Sequence, residues 1–365
     1  MAKSIYVHIP FCNNICAYCD FTKFLLHHKY VEPYVNQLIS HIKSKEVFDA
    51  KTIYIGGGTP TSLPLSLLER ILQALEPFSK NAVEYSIETN VENINIDLIT
   101  LLKKFNVNRI SIGVQTFNDK HLKILKRNHS YDAIIEKINL LTKNDFNNIS
   151  IDLIYGLPEQ TMDEWKKDLD IALSLPLKHI SLYSLMIEEH TVLYLNNVKE
   201  WVEDFLDECY QYAYNYLKSN GFTRYEVSNF ASSSEYESKH NLVYWNAEEY
   251  VAFGVGASGY EGNTRYSYTK SLQNYLTNFN DRDEETLDLY NLKEEYIMLH
   301  LRTKYGISLS DYKMKFNSNF SEEFSDVISS LKKEKLIEIN DDILKVKEDK
   351  FYILNHIILK FVESL

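Results

Sequence analysis

Through the first half of the chain, short apolar stretches alternate with longer segments whose apolar residues recur every three or four positions. The short stretches predict six strands, at residues 4–9, 52–55, 83–87, 109–114, 149–154 and 179–182. The longer segments predict amphipathic helices between them. Strands that alternate with helices pair in parallel. Six such units without a dinucleotide-binding fingerprint favour an α/β fold built as a partial (β/α)6 barrel.

Polar or glycine-rich segments follow the predicted strands at the point where each strand ends. In chain order they are a cysteine-rich loop, Gly56-Gly57-Gly58, Glu88-Thr89-Asn90, Gln115-Thr116-Phe117 and Tyr155-Gly156-Leu157-Pro158. In barrels of this kind, functional groups cluster at the carboxyl ends of the strands. Because the same position recurs in several units, we expect the functional site at this end of the barrel.

The second half of the chain has weaker patterns. Residues 198–218 predict a helix with Cys209 on its apolar face, and therefore in the core. The acidic run at residues 281–285 predicts a linker. Three helical patterns, a hairpin and a closing helix follow it, at residues 292–301, 309–316, 323–333, 336–346 and 352–362. This succession predicts a small winged-helix-like domain, serving as a cap over the barrel mouth or as a protein-contact module.

We therefore predict three parts of the chain. They are a barrel domain at residues 1–220, a connecting region at residues 221–285 and a C-terminal winged-helix-like domain at residues 286–365. A length of 365 residues exceeds the size at which a single core usually stops growing, which agrees with one large and one small domain.

Composition and charge exclude several classes of protein. Lys and Arg number 39 against 51 Asp and Glu, a net charge of −12, and nucleic-acid binding needs a basic face instead. No apolar run approaches the length of a membrane span. The first strand begins at residue 4, which leaves no room for a signal peptide. We predict a cytoplasmic protein with no nucleic-acid partner and no membrane span.

Three of the four cysteines, Cys12, Cys16 and Cys19, share one loop in the pattern Cys-x3-Cys-x2-Cys. Thiolates this close together converge when the chain loops around a shared object, usually a metal. Structural zinc prefers four protein ligands, and the fourth cysteine, Cys209, is distant in sequence. Three thiolates on a four-iron cluster leave one iron open for a substrate. The loop favours an iron–sulfur cluster, with zinc or buried free thiols as the alternatives.

The other candidate residues each have an ordinary structural explanation as well. Three successive glycines form a tight turn, or they expose backbone groups to a ligand. Glu88 is a solvated carboxylate, or it accepts from an ammonium or a ribose hydroxyl. Arg127 is weak evidence alone, because most arginines are surface charges. Asp152 interrupts the apolar run of residues 149–154, and a buried carboxylate needs a partner.

Taken together, several segments resemble the oxygen-independent coproporphyrinogen III oxidase family of radical S-adenosylmethionine (SAM) proteins. They are Tyr6-Val7-His8-Ile9-Pro10-Phe11-Cys12, the triple glycine with Thr59-Pro60-Thr61, Ser86-Ile87-Glu88, Gly113-Val114-Gln115-Thr116-Phe117 and Asp152-Leu153-Ile154-Tyr155-Gly156-Leu157-Pro158. The resemblance implies that residues 1–220 are a radical SAM core. It implies a [4Fe–4S] cluster on Cys12, Cys16 and Cys19, with SAM on the open iron. It implies SAM contacts from Tyr6, Tyr18, Gly57, Gly58, Thr59, Glu88, Gln115, Arg127 and Asp152.

Two features distinguish the branches of this family. The decarboxylating oxidases carry a further cysteine two residues after the third, where this chain has Phe21, and a long N-terminal extension. The segment His240-Asn241-Leu242-Val243-Tyr244-Trp245 resembles the His-Asn-x-x-Tyr-Trp pattern of the HemW branch, which consists of haem chaperones. That resemblance implies haem binding by His240, Tyr244 and Trp245. Residue types alone favour a satisfied core histidine beside two structural aromatic residues.

The resemblance predicts a haem chaperone that binds a [4Fe–4S] cluster, SAM and haem, and delivers haem to acceptor proteins. A reductant such as flavodoxin or ferredoxin is an implied partner. One alternative is the oxygen-independent coproporphyrinogen III oxidase itself, which forms protoporphyrinogen IX by oxidative decarboxylation. Another is a radical SAM enzyme for a different substrate. The sequence leaves open whether SAM is cleaved in the working cycle.

Overall fold

The computed structural model describes residues 2–365. In chain order the strands are β1 (Ser4–Ile9), β2 (Phe11–Cys12), β3 (Phe24–Leu25), β4 (Thr52–Gly57), β5 (Glu84–Asn90), β6 (Arg109–Gln115), β7 (Ile149–Tyr155), β8 (His179–Ser184), β9 (Thr223–Arg224), β10 (Asn229–Ala231), β11 (Val251–Phe253), β12 (Ser258–Glu261), β13 (Thr264–Tyr268), β14 (Arg282–Thr286), β15 (Ile307–Ser308), β16 (Ile337–Asn340) and β17 (Ile343–Val346). The helices are α1 (His28–Ser44), α2 (Leu65–Ser79), α3 (Ile96–Lys104), α4 (Asp119–Ile124), α5 (Tyr131–Lys143), α6 (Met162–Ser174), α7 (Val192–Leu195), α8 (Glu203–Ser219), α9 (Lys239–Trp245), α10 (Leu272–Thr277), α11 (Leu289–His300), α12 (Leu309–Phe316), α13 (Phe320–Glu323), α14 (Ser325–Lys333) and α15 (Leu354–Val362).

The main sheet confirms the predicted parallel order. Strands β1, β4, β5, β6, β7 and β8 lie side by side in chain order, and each neighbouring pair is parallel. Helices of the intervening segments pack on one face; Leu38 of α1 and Leu72 of α2 share a core with Ile53 of β4. The α/β class and the partial (β/α)6 arrangement are therefore confirmed.

The two faces of the main sheet differ in polarity. Successive residues of a strand point to opposite faces. In β4, Ile53 and Ile55 pack into the helix-covered core, whereas Thr52 and Tyr54 form hydrogen bonds on the inner face. Cys209 is fully buried in the same core, which confirms the prediction for this residue. The polar inner face is what gives the barrel an interior suited to chemistry.

Residues 221–285 add strands to both edges of the main sheet. Strand β11 pairs in parallel with β1, while β10 and β9 continue the other edge in antiparallel order. Strands β12, β13 and β14 form a separate antiparallel sheet. The linker predicted for the acidic run at residues 281–285 is wrong, because β14 pairs with β13 there. Its residues are exposed on the edge of that sheet, so backbone pairing makes the strand while the charged side chains stay in water.

The residues from α11 onward form a second hydrophobic core. Strands β15, β17 and β16 make an antiparallel sheet in that order, and helices α11 to α15 supply most of the core side chains. This arrangement confirms the predicted C-terminal helical, winged-helix-like domain. Among residues 2–365, no helix combines the length and apolarity needed to cross a membrane.

The C-terminal domain contacts the segment at residues 225–237. The Lys304 N–H donates to the Tyr225 carbonyl over 2.9 Å, and the Tyr225 hydroxyl lies 2.8 Å from Nε2 of His179, the first residue of β8. The Lys304 ammonium also pairs with Glu237. A role as a cap over the barrel mouth, a role as a protein-contact module and the three domain boundaries stay predictions.

Candidate cofactor site

The cysteine loop leads from β1 towards α1 and is held in place by backbone contacts. Cys12 pairs with Leu25 between β2 and β3, and the Leu26 N–H donates to the Cys12 carbonyl over 2.8 Å. Farther along, the Ala17 N–H donates to the Leu125 carbonyl over 3.0 Å. These contacts fix both arms of the loop at the carboxyl end of the barrel, so the thiols are positioned by the protein itself.

A cavity of about 350 Å³ lies beside this loop. Its lining includes the three clustered cysteines and eight of the nine residues predicted to contact SAM, namely Cys12, Cys16, Cys19, Tyr18, Gly57, Gly58, Thr59, Glu88, Gln115, Arg127 and Asp152. The ninth, Tyr6, lies deeper, where its ring stacks on Tyr54 with the centroids 6.3 Å apart. Residues from separate strands thus gather at one place, and their roles as ligand contacts stay predictions.

The chemistry of the three thiols fits a cationic cofactor. Burial raises the pKa of Cys12 to about 11; a contact from the Thr59 hydroxyl lowers it, and the neighbouring Cys19 and Cys16 raise it. Thiols that disfavour one another's ionisation become thiolates when a cationic centre lies between them. Gly58 leaves room there, since a Cβ on it would lie 2.9 Å from Cys12 Sγ. The residues present therefore fit an iron–sulfur cluster.

Arg127 reaches into the cavity from the segment after α4. Its Nη1 lies 3.2 Å from Cys16 Sγ, and its Nη2 donates to Asn90 Oδ1 over 2.9 Å and to the Gly113 carbonyl. Its Nε is buried and has no hydrogen-bond partner among the described residues. Buried polar groups normally find partners. Arg127 lines the cavity, where its guanidinium charge is suited to an anionic group of a ligand, such as a carboxylate.

The triple glycine makes room for the Glu88 carboxylate. Oε1 accepts from the Tyr54 hydroxyl over 2.7 Å, and Oε2 accepts from the Gly57 N–H over 3.1 Å. A Cβ on Gly56 would lie 2.9 Å from this carboxyl group. Burial raises the pKa of Glu88 to about 7, although the Tyr54 hydrogen bond lowers it; the nearby Asp152 raises it as well. A carboxylate beside a second carboxylate is suited to a cationic or hydroxyl-bearing ligand.

Asp152 and Gln115 complete the polar wall of the cavity. Asp152, which the sequence analysis expected to need a partner, accepts from the Ser111 hydroxyl over 3.3 Å. Burial raises the pKa of Asp152, while a hydrogen bond from Ser181 lowers it. Gln115 has a φ of 70°, at a register shift between β6 and β7. Such a bulge redirects the side chain, which here lines the cavity.

Two residues that contact the site have no role assigned from the sequence, although Asn90 lies in one of the strand-end segments noted there. Asn90 accepts from Arg127 and donates to the Thr59 hydroxyl over 3.1 Å, so it links two predicted SAM contacts. The Tyr54 hydroxyl donates a hydrogen bond to Glu88 Oε1. Asn90 lies two positions after Glu88 on the same strand face, and Tyr54 lies two before Gly56. Strand alternation was therefore the signal that could have found both.

The predicted haem residues lie elsewhere. His240 is fully buried on α9, with Nδ1 2.8 Å from the Thr52 hydroxyl and Nε2 2.8 Å from the Tyr244 hydroxyl. His240, Tyr244 and Trp245 are not among the residues that line the cavity described above. Their assignment to haem stays a prediction. Haem ligation by His240 would require the Tyr244 hydroxyl to move away from Nε2.

Phe21 lies at the rim of the cavity. Its side chain is 66% exposed, and Met186, another lining residue, is 62% exposed. Large apolar side chains at the edge of a cavity often mark a place where another molecule packs. The residue that separates the two branches of the family therefore faces the entrance of the site.

Comparison with known proteins identifies families and individual proteins that are similar to this chain. Residues 6–172 match the radical SAM superfamily, and residues 287–349 match the HemN C-terminal domain. The Heme chaperone HemW of Lactococcus lactis is 39% identical over 345 residues, covering 92% of this chain and 90% of the relative. The Heme chaperone HemW of Bacillus subtilis is 36% identical over 352 residues and 92% of each chain. The structure of Escherichia coli coproporphyrinogen III oxidase (HemN), described as a radical SAM enzyme, covers 100% of this chain and 91% of its own at a TM-score of 0.86 and 21% identity, which shows the shared fold.

Proposed function

The chain belongs to the HemW family of radical SAM proteins, and from this premise we propose that it is a haem chaperone carrying a [4Fe–4S] cluster. In this proposal it binds SAM beside the cluster, takes up haem and delivers it to acceptor proteins. The relatives named Heme chaperone HemW, which align over most of the chain, support the haem part of the proposal.

One observation carries the cofactor part of the proposal. Three cysteines from one loop and predicted SAM contacts from five other strands or loops line the same cavity. These residues are separated by up to 140 positions in sequence, from Cys12 to Asp152. An incidental cavity would not be expected to collect residues chosen in advance for one ligand pair.

Each group at the cavity has a role that follows from its chemistry. Cys12, Cys16 and Cys19 would hold the cluster. The Arg127 guanidinium would pair with the SAM carboxylate. The carboxylates of Glu88 and Asp152 would accept from the SAM ammonium or its ribose hydroxyls. When bound, a cluster of this kind supplies an electron to SAM for cleavage of a sulfur–carbon bond, and the protein supplies position and exclusion of side reactions.

The rim of the cavity favours haem handling over oxidation of coproporphyrinogen. The oxidase branch carries a cysteine where this chain has the exposed Phe21. An aromatic ring at the entrance offers flat apolar surface, which suits a porphyrin face. We keep His240, Tyr244 and Trp245 as predicted haem contacts. Haem-acceptor proteins, a reductant such as flavodoxin or ferredoxin, and a cytoplasmic location complete the proposal.

Anaerobic reconstitution followed by two parallel assays tests this function. The reconstituted protein is titrated with haem and followed by absorption; in parallel it is incubated with coproporphyrinogen, SAM and a reductant, with Escherichia coli HemN as the positive control. We expect saturable haem uptake and no protoporphyrinogen. Product formation without haem uptake would assign the chain to the oxidases instead. If the cluster-loaded protein neither takes up haem nor forms protoporphyrinogen, the remaining alternative is a radical SAM enzyme for another substrate.

A further inference from the structure

Helix α9 lies at the end of the barrel opposite to the cysteine loop, beside the first residues of β4 and β5. Glu84, the first residue of β5, accepts the backbone N–H groups of Lys239 and His240 over 2.9 and 3.0 Å. Thr52, the first residue of β4, lies 2.8 Å from the His240 ring. Because parallel strands begin at the same edge of a sheet, these contacts place α9 across the amino ends of the strands.

The hydrogen bonds of His240 define its protonation. The Thr52 hydroxyl donates its proton to Ser4 Oγ over 2.9 Å, so it can only accept from the imidazole, which therefore carries its proton on Nδ1. Burial lowers the pKa of His240 to about 3, so the ring is neutral and Nε2 accepts from the Tyr244 hydroxyl. Both ring nitrogens are thus satisfied inside the protein.

The face of the His240 imidazole contacts Tyr54, which in turn contacts a residue that lines the cavity. The His240 ring stacks on Tyr54 with the centroids 5.3 Å apart and the planes 23° from parallel. The Tyr54 hydroxyl donates to Glu88 Oε1, and Glu88 lines the cavity. A continuous set of contacts therefore runs from the closed end of the barrel to the carboxylate predicted to meet SAM. Tyr54 is the one side chain that lies between His240 and Glu88 in this set of contacts.

We infer that His240 is a positioning residue of the SAM site, because its ring holds Tyr54 in place and Tyr54 in turn orients the Glu88 carboxylate. The inference rests on the proposed function, since it assigns His240 to SAM binding. It differs from the assignment of the same histidine as a haem ligand. It also differs from a role limited to packing α9, because it predicts a specific effect on a ligand bound at the other end of the barrel.

The shape of the ring and its hydrogen bonds can be separated by substitution. His240→Leu removes the flat ring and both hydrogen bonds, whereas His240→Phe keeps a flat ring against Tyr54 without the hydrogen bonds. Val243→Ala is the matched control, because Val243 is the other buried residue of α9. Tyr54→Phe removes the hydroxyl that orients Glu88 and leaves the stack in place.

The experiment measures SAM affinity by calorimetry on the anaerobically reconstituted full-length protein, with iron content checked for each variant. Tyr54→Phe leaves Glu88 Oε1 without its hydrogen-bond donor, so we expect it to weaken SAM binding about tenfold. We expect His240→Leu to weaken it about as much, and His240→Phe and Val243→Ala to bind within about threefold of the parent. His240→Leu in the Tyr54→Phe background is expected to cause no further loss.

Several results would overturn the inference. Equal weakening by His240→Leu and Val243→Ala would leave a packing role only. If His240→Leu does not fold, Tyr54→Phe decides, and parent-like SAM affinity in that variant would break the connection to Glu88. Loss of haem uptake in His240→Leu with parent-like SAM affinity would return the histidine to haem. Absence of SAM binding by the parent protein would reject the cofactor site and this inference together, whereas parent binding with unaffected variants rejects the inference alone.

Discussion

Two polar clusters at opposite ends of the barrel interior, Glu84 with His240 and Glu88 with Arg127, differ in whether the protein itself supplies their partners. At the amino end, Glu84 accepts two backbone N–H groups and His240 uses both ring nitrogens. At the carboxyl end, Arg127 Nε has no partner among the described residues, and Glu88 is held by neutral donors only. Arg109, which begins β6 at the amino end, also has an unpartnered Nε, although its Nη1 donates to Asn148.

Because Arg109 is an exception, the contrast separates the Glu84–His240 pair from the Glu88–Arg127 pair rather than all polar groups of the two ends. A buried polar group without a partner costs free energy that a ligand can recover by supplying the partner. Where the protein supplies every partner itself, as for His240, a ligand has to displace an existing hydrogen bond. The contrast therefore predicts that substitutions at the carboxyl end change ligand binding, and substitutions at the amino end change stability first.

The largest expected effect is at the carboxyl end. Cys12→Ala leaves two thiols at the cavity, and we expect it to abolish the bound cluster, because three thiolates are the proposed ligands. Cys209→Ala is the matched control, since Cys209 is buried in the main core, away from the cavity. Iron content and the visible absorption spectrum after anaerobic reconstitution measure the effect. A full cluster in Cys12→Ala, or its loss in Cys209→Ala, would contradict the assignment.

The second effect compares two glutamates of the same strand, Glu84 and Glu88. Glu84 accepts from two backbone N–H groups, which cannot reverse direction, so Glu84→Gln turns an amide N–H towards a donor. We expect Glu84→Gln to lower the free energy of unfolding by about 2 kcal/mol. Glu88 accepts from a tyrosine hydroxyl, which can rotate to accept from the new amide, so Glu88→Gln is expected to fold with parent stability.

Urea unfolding of the two variants under identical conditions measures this difference. Equal losses of stability would show that the two ends of the barrel are not distinguished by their hydrogen bonds. A larger loss in Glu88→Gln than in Glu84→Gln would reverse the comparison.

Local patterns in the sequence were sufficient to predict the strands and the cysteine loop. Alternation and apolar runs mark the six parallel strands, and the spacing of Cys12, Cys16 and Cys19 marks one loop. The family resemblance then selected the remaining cavity residues. Each of these signals lies within a short window of the chain, which is why it can be recognised without knowledge of the fold.

Contacts between distant segments could not be predicted in the same way. The pairing of His240 with Thr52 joins residues 188 positions apart, and no periodicity reports it. Strands β9, β10 and β11 have two or three residues each, too few to show an alternation. Strand β14 was mistaken for a linker because its residues are charged and exposed. In these places tertiary pairing, rather than local preference, determines the structure.

The smallest expected effect concerns the pH dependence of the carboxyl end. Burial raises the pKa of Glu88 from its usual 4.5 to about 7, so in the ligand-free protein the native state holds this proton more tightly than the unfolded chain. Its contribution to stability is complete below about pH 4.5 and is lost as the pH rises through 7.

SAM bound through the ionised carboxylate shows the opposite trend, because binding at lower pH must first remove the proton. A group with a pKa of about 7 is roughly one-tenth ionised at pH 6 and nine-tenths ionised at pH 8, so we expect SAM affinity to rise about tenfold across this range. Calorimetric titrations at both pH values measure the change. Glu88→Gln serves as the control, because it meets the same SAM without the titrating group; a pH dependence that persists in this variant would place the proton elsewhere.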